Sequence, residues 1–187
     1  MGLMGIVNAL ELRPIVSLTR NEQLDILAIR NQPELRRNMY TSHEIGEDEH
    51  FRWIDQLEGS DTTQFFAVFL NDKLIGAVSL NSISRENRRA DWAFYLDVSA
   101  QGGGVGAALE FKFLDFAFET LSKLNCEVID FNDKVISLHK KFGFKEEGVR
   151  RRHIVRDGQS HDAVLLGITK EEWRESRTNL KRKAFSD

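Results

Sequence analysis

Residues 90–106 read ADWAFYLDVSAQGGGVG, an apolar, aromatic-rich run that ends in a cluster of glycines. The run has the β-branched and aromatic character of a strand. The next segment, from Val105 to Leu121, carries Leu109, Phe113, Phe116 and Leu121 in one apolar set with no breaker inside, which predicts a long helix. A strand feeding a helix through glycines leaves the helix's first backbone N–H groups unpaired and adds the positive end of its dipole, which together make an anion site. Glycine suits such a loop because a Cβ would hold a phosphate away from those amides. A plain tight turn is the alternative reading of the same residues.

Outward from this loop, the segments alternate in a way that fixes the fold class. On the N-terminal side, apolar alternation over Leu10–Leu18 predicts a strand, and Thr19 with Glu22 forms a capping-box signal for a helix toward Arg30 and Asn31. Pro33 ends or bends that helix, the stretch to Gly46 reads as a loop or broken helix, and Glu47–Leu57 as a second helix. QFFAVFL from Gln64, then Asn71-Asp72-Lys73, then LIGAVSL, predicts an antiparallel hairpin. Beyond the long helix, CEVIDF reads as a short buried strand, and Asn132–Phe142 as a helix closed by Gly143. An extended segment from Phe144 to Val155 then turns at Asp157-Gly158 into His161–Ile168, and Thr169 with Glu172 caps a C-terminal helix. This order predicts a mixed α/β (α+β) domain, with antiparallel pairs at both ends and one strand-helix-strand unit at its centre.

Three phosphate loops compete for the glycines. The P-loop needs Gly-Lys-Ser or Gly-Lys-Thr, which this chain lacks after the glycines. The dinucleotide fingerprint can be laid on Gly102, Gly104 and Ala107 with Asp130 as ribose acceptor, but antiparallel strands precede it and the Rossmann unit would be incomplete. The third reading fits best: Gln101-x-x-Gly104-x-Gly106 resembles the Q/R-x-x-G-x-G/A motif of the Gcn5-related N-acetyltransferases. Asn132, Ile136, Leu138, His139 and Phe142-Gly143-Phe144 resemble that family's second signature, about thirty residues on. The resemblance implies the acyl-CoA N-acyltransferase fold, a mixed, mostly antiparallel sheet flanked by helices, and acetyl-CoA as donor. It places the coenzyme pyrophosphate on Gln101, Gly102, Gly103, Gly104, Val105, Gly106 and Ala107, with Asn132 also on the coenzyme. Backbone amides around Leu96, Asp97 and Val98 would polarise the thioester carbonyl. His139 stands where the family often has a tyrosine that protonates the leaving thiolate; histidine can do so too, and an ordinary helix-face histidine is the alternative.

Direct attack by an amine needs a base, and a strand carboxylate is the natural choice: Glu127 first, Asp130 second, with pairing to a neighbouring arginine as the competing role for Glu127. Cys126 reads as strand packing rather than an acyl carrier. On the acceptor side, Arg30-Asn31, Met39-Tyr40, and His50 with Phe51 and Trp53 suit a flat base and a diphosphate, or else pack helices together. Over residues 10 to 172 the chain is similar to the N-acetyltransferases of the pseudaminic acid pathway, which acetylate the 4-amino group of UDP-4-amino-4,6-dideoxy-N-acetyl-β-L-altrosamine. By that resemblance Arg30 and His50 bind the UDP phosphates, and Met39, Tyr40, Trp53 and Trp92 border the base or sugar, with Asn31 beside them. Ser79 and Glu127 would lie near the amine. The rivals are a protein N-terminus or polyamine acceptor, which would call for an acidic pocket, and a non-catalytic coenzyme-binding sensor.

Composition narrows the partners. At 187 residues the chain amounts to about one domain, expected at 10–172 with a helical, basic tail at 173–187. A charge of −3, from 26 Lys and Arg against 29 Asp and Glu, offers no general attraction to nucleic acid or anionic membranes. One cysteine rules out an internal disulfide and agrees with a cytoplasmic setting. The apolar opening MGLMGIVNAL is too short to span a membrane. His43-Glu44 with His50 lacks the H-E-x-x-H spacing, so no metal is expected. Arg150-Arg151-Arg152 reads as solvated, or as a coenzyme phosphate contact, and Lys181-Arg182-Lys183 as a solubilising end. An exposed strand near the C-terminal hairpin is a candidate homodimer surface.

Overall fold

Two reciprocal capping boxes set where helices begin. Thr19 Oγ1 accepts from the Glu22 amide while the Glu22 carboxylate accepts from the Thr19 amide, and Thr169 and Glu172 repeat the exchange. The computed structural model describes residues 2–184, with side chains as far as residue 180. In chain order the elements are α1 (Leu3–Ala9), β1 (Leu10–Pro14), α2 (Arg20–Arg30), α3 (Pro33–Arg36), α4 (Glu47–Leu57), β2 (Gln64–Leu70) and β3 (Lys73–Ser84). There follow β4 (Arg89–Leu96), α5 (Val105–Ala117), β5 (Lys123–Ile129), α6 (Asp133–Phe142), β6 (Lys145–Arg156), β7 (Gln159–Thr169) and α7 (Lys170–Ala184).

The seven strands form one sheet in the order β1-β2-β3-β4-β5-β7-β6, and every neighbouring pair is antiparallel except β4 and β5. Both expected hairpins form on left-handed turn residues, Asn71 and Asp72 at φ 50° and 62°, Asp157 and Gly158 at φ 50° and 76°. The first strand stops at Pro14, short of the expected Leu18, and a 3-10 turn over Ile15–Ser17 leads to the cap. Pro33 starts a helix rather than only ending one: it occupies the first turn of α3, where its missing N–H costs nothing.

Helices cover both faces. One face carries α1, α5, α6 and α7 over a core that includes Phe111, Phe113, Phe142 and Trp173; the other carries α2 and α4, with Ile26 and Ile54 over Ala67, Phe69 and Ala77. This core extends past both ends of the expected 10–172 domain, since Ile6 and Val7 of α1 and Trp173 and Leu180 of α7 are buried in it. The side chains of Lys181, Arg182 and Lys183, read as a solubilising end, lie outside the described residues.

The site depends on how β4 meets β5. The two pair in parallel only at Arg89–Asp91 with Lys123–Asn125, where Asn125 Nδ2 also donates to Asp91 Oδ1 at 3.2 Å. Beyond that point they separate. Because the Asp97 amide bonds Ile75 O on β3, and Tyr95 and Ala93 pair with Ala77 and Ser79, strand alternation turns the amides of Phe94 and Leu96 the other way, into the gap.

Candidate active site

The gap opens into a cleft of about 520 Å3, bounded by β4 from Trp92 to Leu96 and by Cys126, Glu127 and Val128 of β5. On the α6 side its wall is Asn132, Val135, Leu138 and His139; on the opposite side it is Glu34, Leu35, Asn38 and Met39 of α3 and the following turn. The sheet therefore parts to give one passage with two mouths.

At the α6-side mouth, Gly102, Gly103 and Gly104 adopt left-handed backbone in succession, at φ 88°, 55° and 83°. Three such residues in a row are accessible only to glycine without strain, and they lead the chain into α5 with Gly104 as its N-cap. Helix geometry leaves the first-turn amides of Gly106 and Ala107 facing out of the helix end. Gln101 anchors the loop, donating Nε2 to Leu96 O at 3.1 Å. This cradle, which borders the gap through Gln101, Gly102 and Gly106, fits the diphosphate of acetyl-CoA. Asn132 lines the same wall from the α6 N-terminus, and its side chain makes no cap bond.

Two of the amides expected to polarise the thioester are already engaged. Asp97 N bonds Ile75 O, and Val98 N donates to Gln32 Oε1 at 3.1 Å; only Leu96 of the expected three, with Phe94, points into the gap. Gln32 also donates to Asp97 Oδ2, so it stitches the start of α3 to the end of β4. Bonds from the Ser99 side chain and amide, with that from Gln32, hold the Asp97 carboxyl below its usual range against a raising effect of burial.

His139 is buried in the cleft wall, edge-on to Trp92 and close to Phe94 and Phe144. Its Nδ1 lies 3.0 Å from Glu110 Oε1, on the first turns of α5. Burial opposes charge on the ring, but the Glu110 carboxylate and a hydrogen bond with Cys126 outweigh it and raise the His139 pKa to about 10. Burial likewise raises Glu110, with His139 pulling it back. Glu110 escaped the sequence reading, although a carboxylate inside the apolar run of residues 105–118 was its signal.

On the other side of the sheet, Glu127 is held at both oxygens: Tyr40 donates its hydroxyl to Oε2 at 2.5 Å, and Arg150 Nη1 lies 2.6 Å from Oε1. Burial, then the bond to Glu127, raises the Tyr40 hydroxyl pKa. Of the three arginines read as solvated, Arg150 thus forms part of this wall, while Arg152 sits in a strand irregularity at φ 53° with its amide bonded to Asp162. Ser79 pairs across the sheet with Ala93, in the row that leads toward Glu127, but it is buried and accepts from Asn81 Nδ2 rather than facing the cleft. Asp130, the second choice of base, is tied to β7 by His161 and the Asp162 amide. A single parallel pair in the sheet also removes its role as a ribose acceptor.

Several acceptor-side residues turn out to build the wall. Asn31 gives both ends of its amide to Ile45, accepting at 2.9 Å and donating at 2.8 Å, so it clamps the 37–46 segment instead of facing ligand. Replacing it with alanine is expected to cost about 1–3 kcal/mol in denaturant unfolding, because both Ile45 groups lose their partner. An unchanged midpoint would show that the clamp contributes nothing. His50 is buried outside the cleft lining, with Nε2 2.9 Å from Gln23 O, and burial lowers its pKa; it joins α4 to α2. Trp53 packs edge-on to Phe65, and Trp92 stacks on Phe113 under the cleft. Met39 and Tyr40 do reach the cleft or its rim, and Arg156 Nη2 holds the turn by donating to Met39 O at 2.5 Å. Arg30 Nη2 donates to Thr41 O at 2.8 Å. Among the described residues, Arg30, Arg36 and Arg156 each retain a buried guanidinium nitrogen without an acceptor. Burial, with like charge from Arg36, lowers the Arg30 pKa although Tyr95 and Glu49 favour its charge.

A mostly antiparallel sheet parted between two parallel strands, with an anion cradle at one mouth of the gap, defines an acyl-CoA N-acyltransferase. A family model described as an acetyltransferase (GNAT) domain matches residues 10–145, and the chain belongs to the Gcn5-related N-acetyltransferase family. It is an N-acetyltransferase with acetyl-CoA as donor. The uncharacterized N-acetyltransferase YokL of Bacillus subtilis, from the SPbeta prophage, is 31% identical over 148 residues, 75% of this chain and 81% of that protein. The acetyltransferase PseH of Campylobacter jejuni is 27% identical over 137 residues, 72% and 84% of the two chains. The spermidine N-acetyltransferase of Vibrio cholerae, solved in complex with CoA and spermine, shares the fold at a TM-score of 0.82 and 24% identity, covering 89% of this chain and 99% of its own. Among the described residues, no helix is long and apolar enough to cross a membrane, and no group of three ligand-type side chains is placed to hold a metal.

Proposed function

We propose that the chain transfers acetyl from acetyl-CoA to the 4-amino group of UDP-4-amino-4,6-dideoxy-N-acetyl-β-L-altrosamine, a step of pseudaminic acid biosynthesis. The observation that carries this reading is the basic layer behind the acceptor wall: Arg30, Arg36 and Arg156 gather around the 36–41 turn, outside the cleft lining itself, each with a buried guanidinium nitrogen lacking an acceptor. Such a layer suits the diphosphate of a sugar nucleotide and repels a polycation. The likeness to PseH over most of both chains supports the same reading.

In this scheme Met39 and Tyr40 border the sugar, and the substrate displaces the Tyr40 hydroxyl from Glu127. Glu127 then takes the amine proton, directly or through a water, with Arg150 holding the carboxylate in place. The amine nitrogen forms the new amide bond as the thioester C–S bond breaks. The amides of Phe94 and Leu96 stabilise the carbonyl oxygen, and His139 supplies a proton to the leaving sulfur. The proton released by the amine replaces the one His139 gives, so the products are the acetamide and the free thiol.

A polyamine acceptor is the second reading, favoured by the carboxylates of Glu34 and Glu127 in the cleft and by the shared fold with a spermidine N-acetyltransferase. A thiol-release assay with acetyl-CoA separates the two. Turnover is expected with the UDP-4-amino sugar and is expected to fall at least tenfold in Arg30→Ala. Turnover with spermidine or a short peptide in place of the sugar nucleotide would overturn the acceptor assignment.

A further inference from the structure

The coenzyme side of the gap contains an ionisable pair that the family signature does not predict. Glu110 and His139 come from different helices, α5 and α6, and both are buried. Glu110 Oε1 meets His139 Nδ1 at 3.0 Å, while Oε2 has no partner among the described residues. A buried carboxylate with one free oxygen is costly, so the pair persists only if each group offsets the other's loss of water. With Nδ1 committed, the remaining ring nitrogen, Nε2, is the one left for Cys126, which lines the gap beside Glu127. The ionisable groups facing the ring are Glu110 from α5 and Cys126 from β5; β4 contributes Trp92 and Phe94, and the chain after α6 contributes Phe144, all uncharged.

We infer that Glu110 is a positioning residue for acetyl transfer: its carboxylate fixes the His139 ring by Nδ1 and keeps it an imidazolium whose Nε2–H lies beside Cys126 on the gap wall, where an incoming sulfur can replace that thiol as its acceptor. Nε2–H gives its proton to the sulfur as the C–S bond breaks, and the ring becomes the neutral Nδ1–H tautomer still bonded to Glu110. The amine proton, carried off by Glu127 or water, restores the imidazolium, so no proton is gained or lost by the pair over a cycle. A tyrosine at position 139 would do without such a partner, because its hydroxyl is already protonated at neutral pH. The histidine needs one to hold its proton in an apolar wall. The inference rests on the proton-donor role given to His139 and is independent of which amine is acetylated.

The test pairs a ring titration with kinetics on the full chain. In the wild type, the nitrogen NMR signals of His139 are expected to report a doubly protonated ring until the pH approaches about 10. In Glu110→Gln the ring is expected to titrate near or below neutrality. With the UDP-4-amino sugar, or with spermidine if that is the amine turned over, Glu110→Gln should lower kcat about 10–100-fold at pH 8 with KM for acetyl-CoA within about twofold. The alkaline limb of kcat should move down with the ring, and adding Glu110→Gln to His139→Gln should cost nothing further. A kcat profile unmoved in Glu110→Gln, beside an impaired His139→Gln, would overturn the positioning role and leave His139 its own. Full activity in His139→Gln would remove the donor role beneath it. If Glu110→Gln does not fold, the wild-type titration decides: a neutral ring at pH 7 refutes the inference, and an imidazolium that Glu110→Asp retains supports it.

Discussion

Replacing Gly76 by alanine is expected to destabilise the protein by about 3 kcal/mol or more, a large loss for the addition of a single methyl group. Gly76 lies on β3 opposite Leu96 of β4. A Cβ there would stand 2.2 Å from the Tyr95 carbonyl oxygen and 2.9 Å from the Leu96 Cα, both backbone atoms with no rotamer to give way. The strands would have to separate just where β4 turns its Phe94 and Leu96 amides into the gap, so residual folded protein should also turn over poorly. Gly59→Ala is the control, because its φ of 72° is left-handed yet nothing lies within 4 Å of a new Cβ; about 1–2 kcal/mol is expected. Urea unfolding of both variants checks the contrast. Equal losses would mean that the close approach of β3 and β4 is not what demands glycine.

Valine at position 103 is expected to act in the opposite sense, sparing the fold and removing the donor. The space around a Cβ at Gly103 is open, so the stability cost is limited to left-handed strain of about 1–2 kcal/mol. A β-branched residue is nevertheless driven out of φ 55° toward extended backbone, which swings the amides of the three-glycine run off the diphosphate. Losing two charge-assisted bonds of about 1.5–3 kcal/mol each lowers acetyl-CoA affinity on the order of 100-fold or more. Calorimetric titration with coenzyme A reads this directly, and an affinity within twofold of the wild type would show that the loop is a turn and not a cradle.

Local signals carried the fold far. Capping pairs at Thr19–Glu22 and Thr169–Glu172, hairpin turns at Asn71-Asp72 and Asp157-Gly158, and the glycines before α5 each act within a few residues, so their meaning survives without tertiary context. The glycine loop that enters α5 was legible for the same reason, because it is one continuous segment. The acceptor side was not: Tyr40 reaches Glu127 across 87 residues and Arg156 reaches Met39 across 117, contacts that only the sheet order creates. Asn31 and His50 were misjudged because an amide or imidazole that anchors backbone is spelled the same way as one that binds ligand. Glu110 needed the packing of α5 on α6 before its place in an apolar run made sense.

The parted sheet also acts as a partition between two separately editable halves. Everything that would grip the donor comes from residues 94–110 and 132–139, while the acceptor wall is assembled from residues 30–41 and 150–156. Glu127 is the shared boundary stone, reached from the acceptor half through its two side-chain partners. Exchanging the 30–41 turn together with Arg150 and Arg156 for the matching pieces of a relative, with Gln32 kept because it ties α3 to Asp97 and Val98, would therefore re-address the enzyme to another amine without disturbing its donor machinery. Exchanging the turn alone would leave Glu127 and Arg156 facing strangers, so new specificity has to arrive as a matched pair of segments.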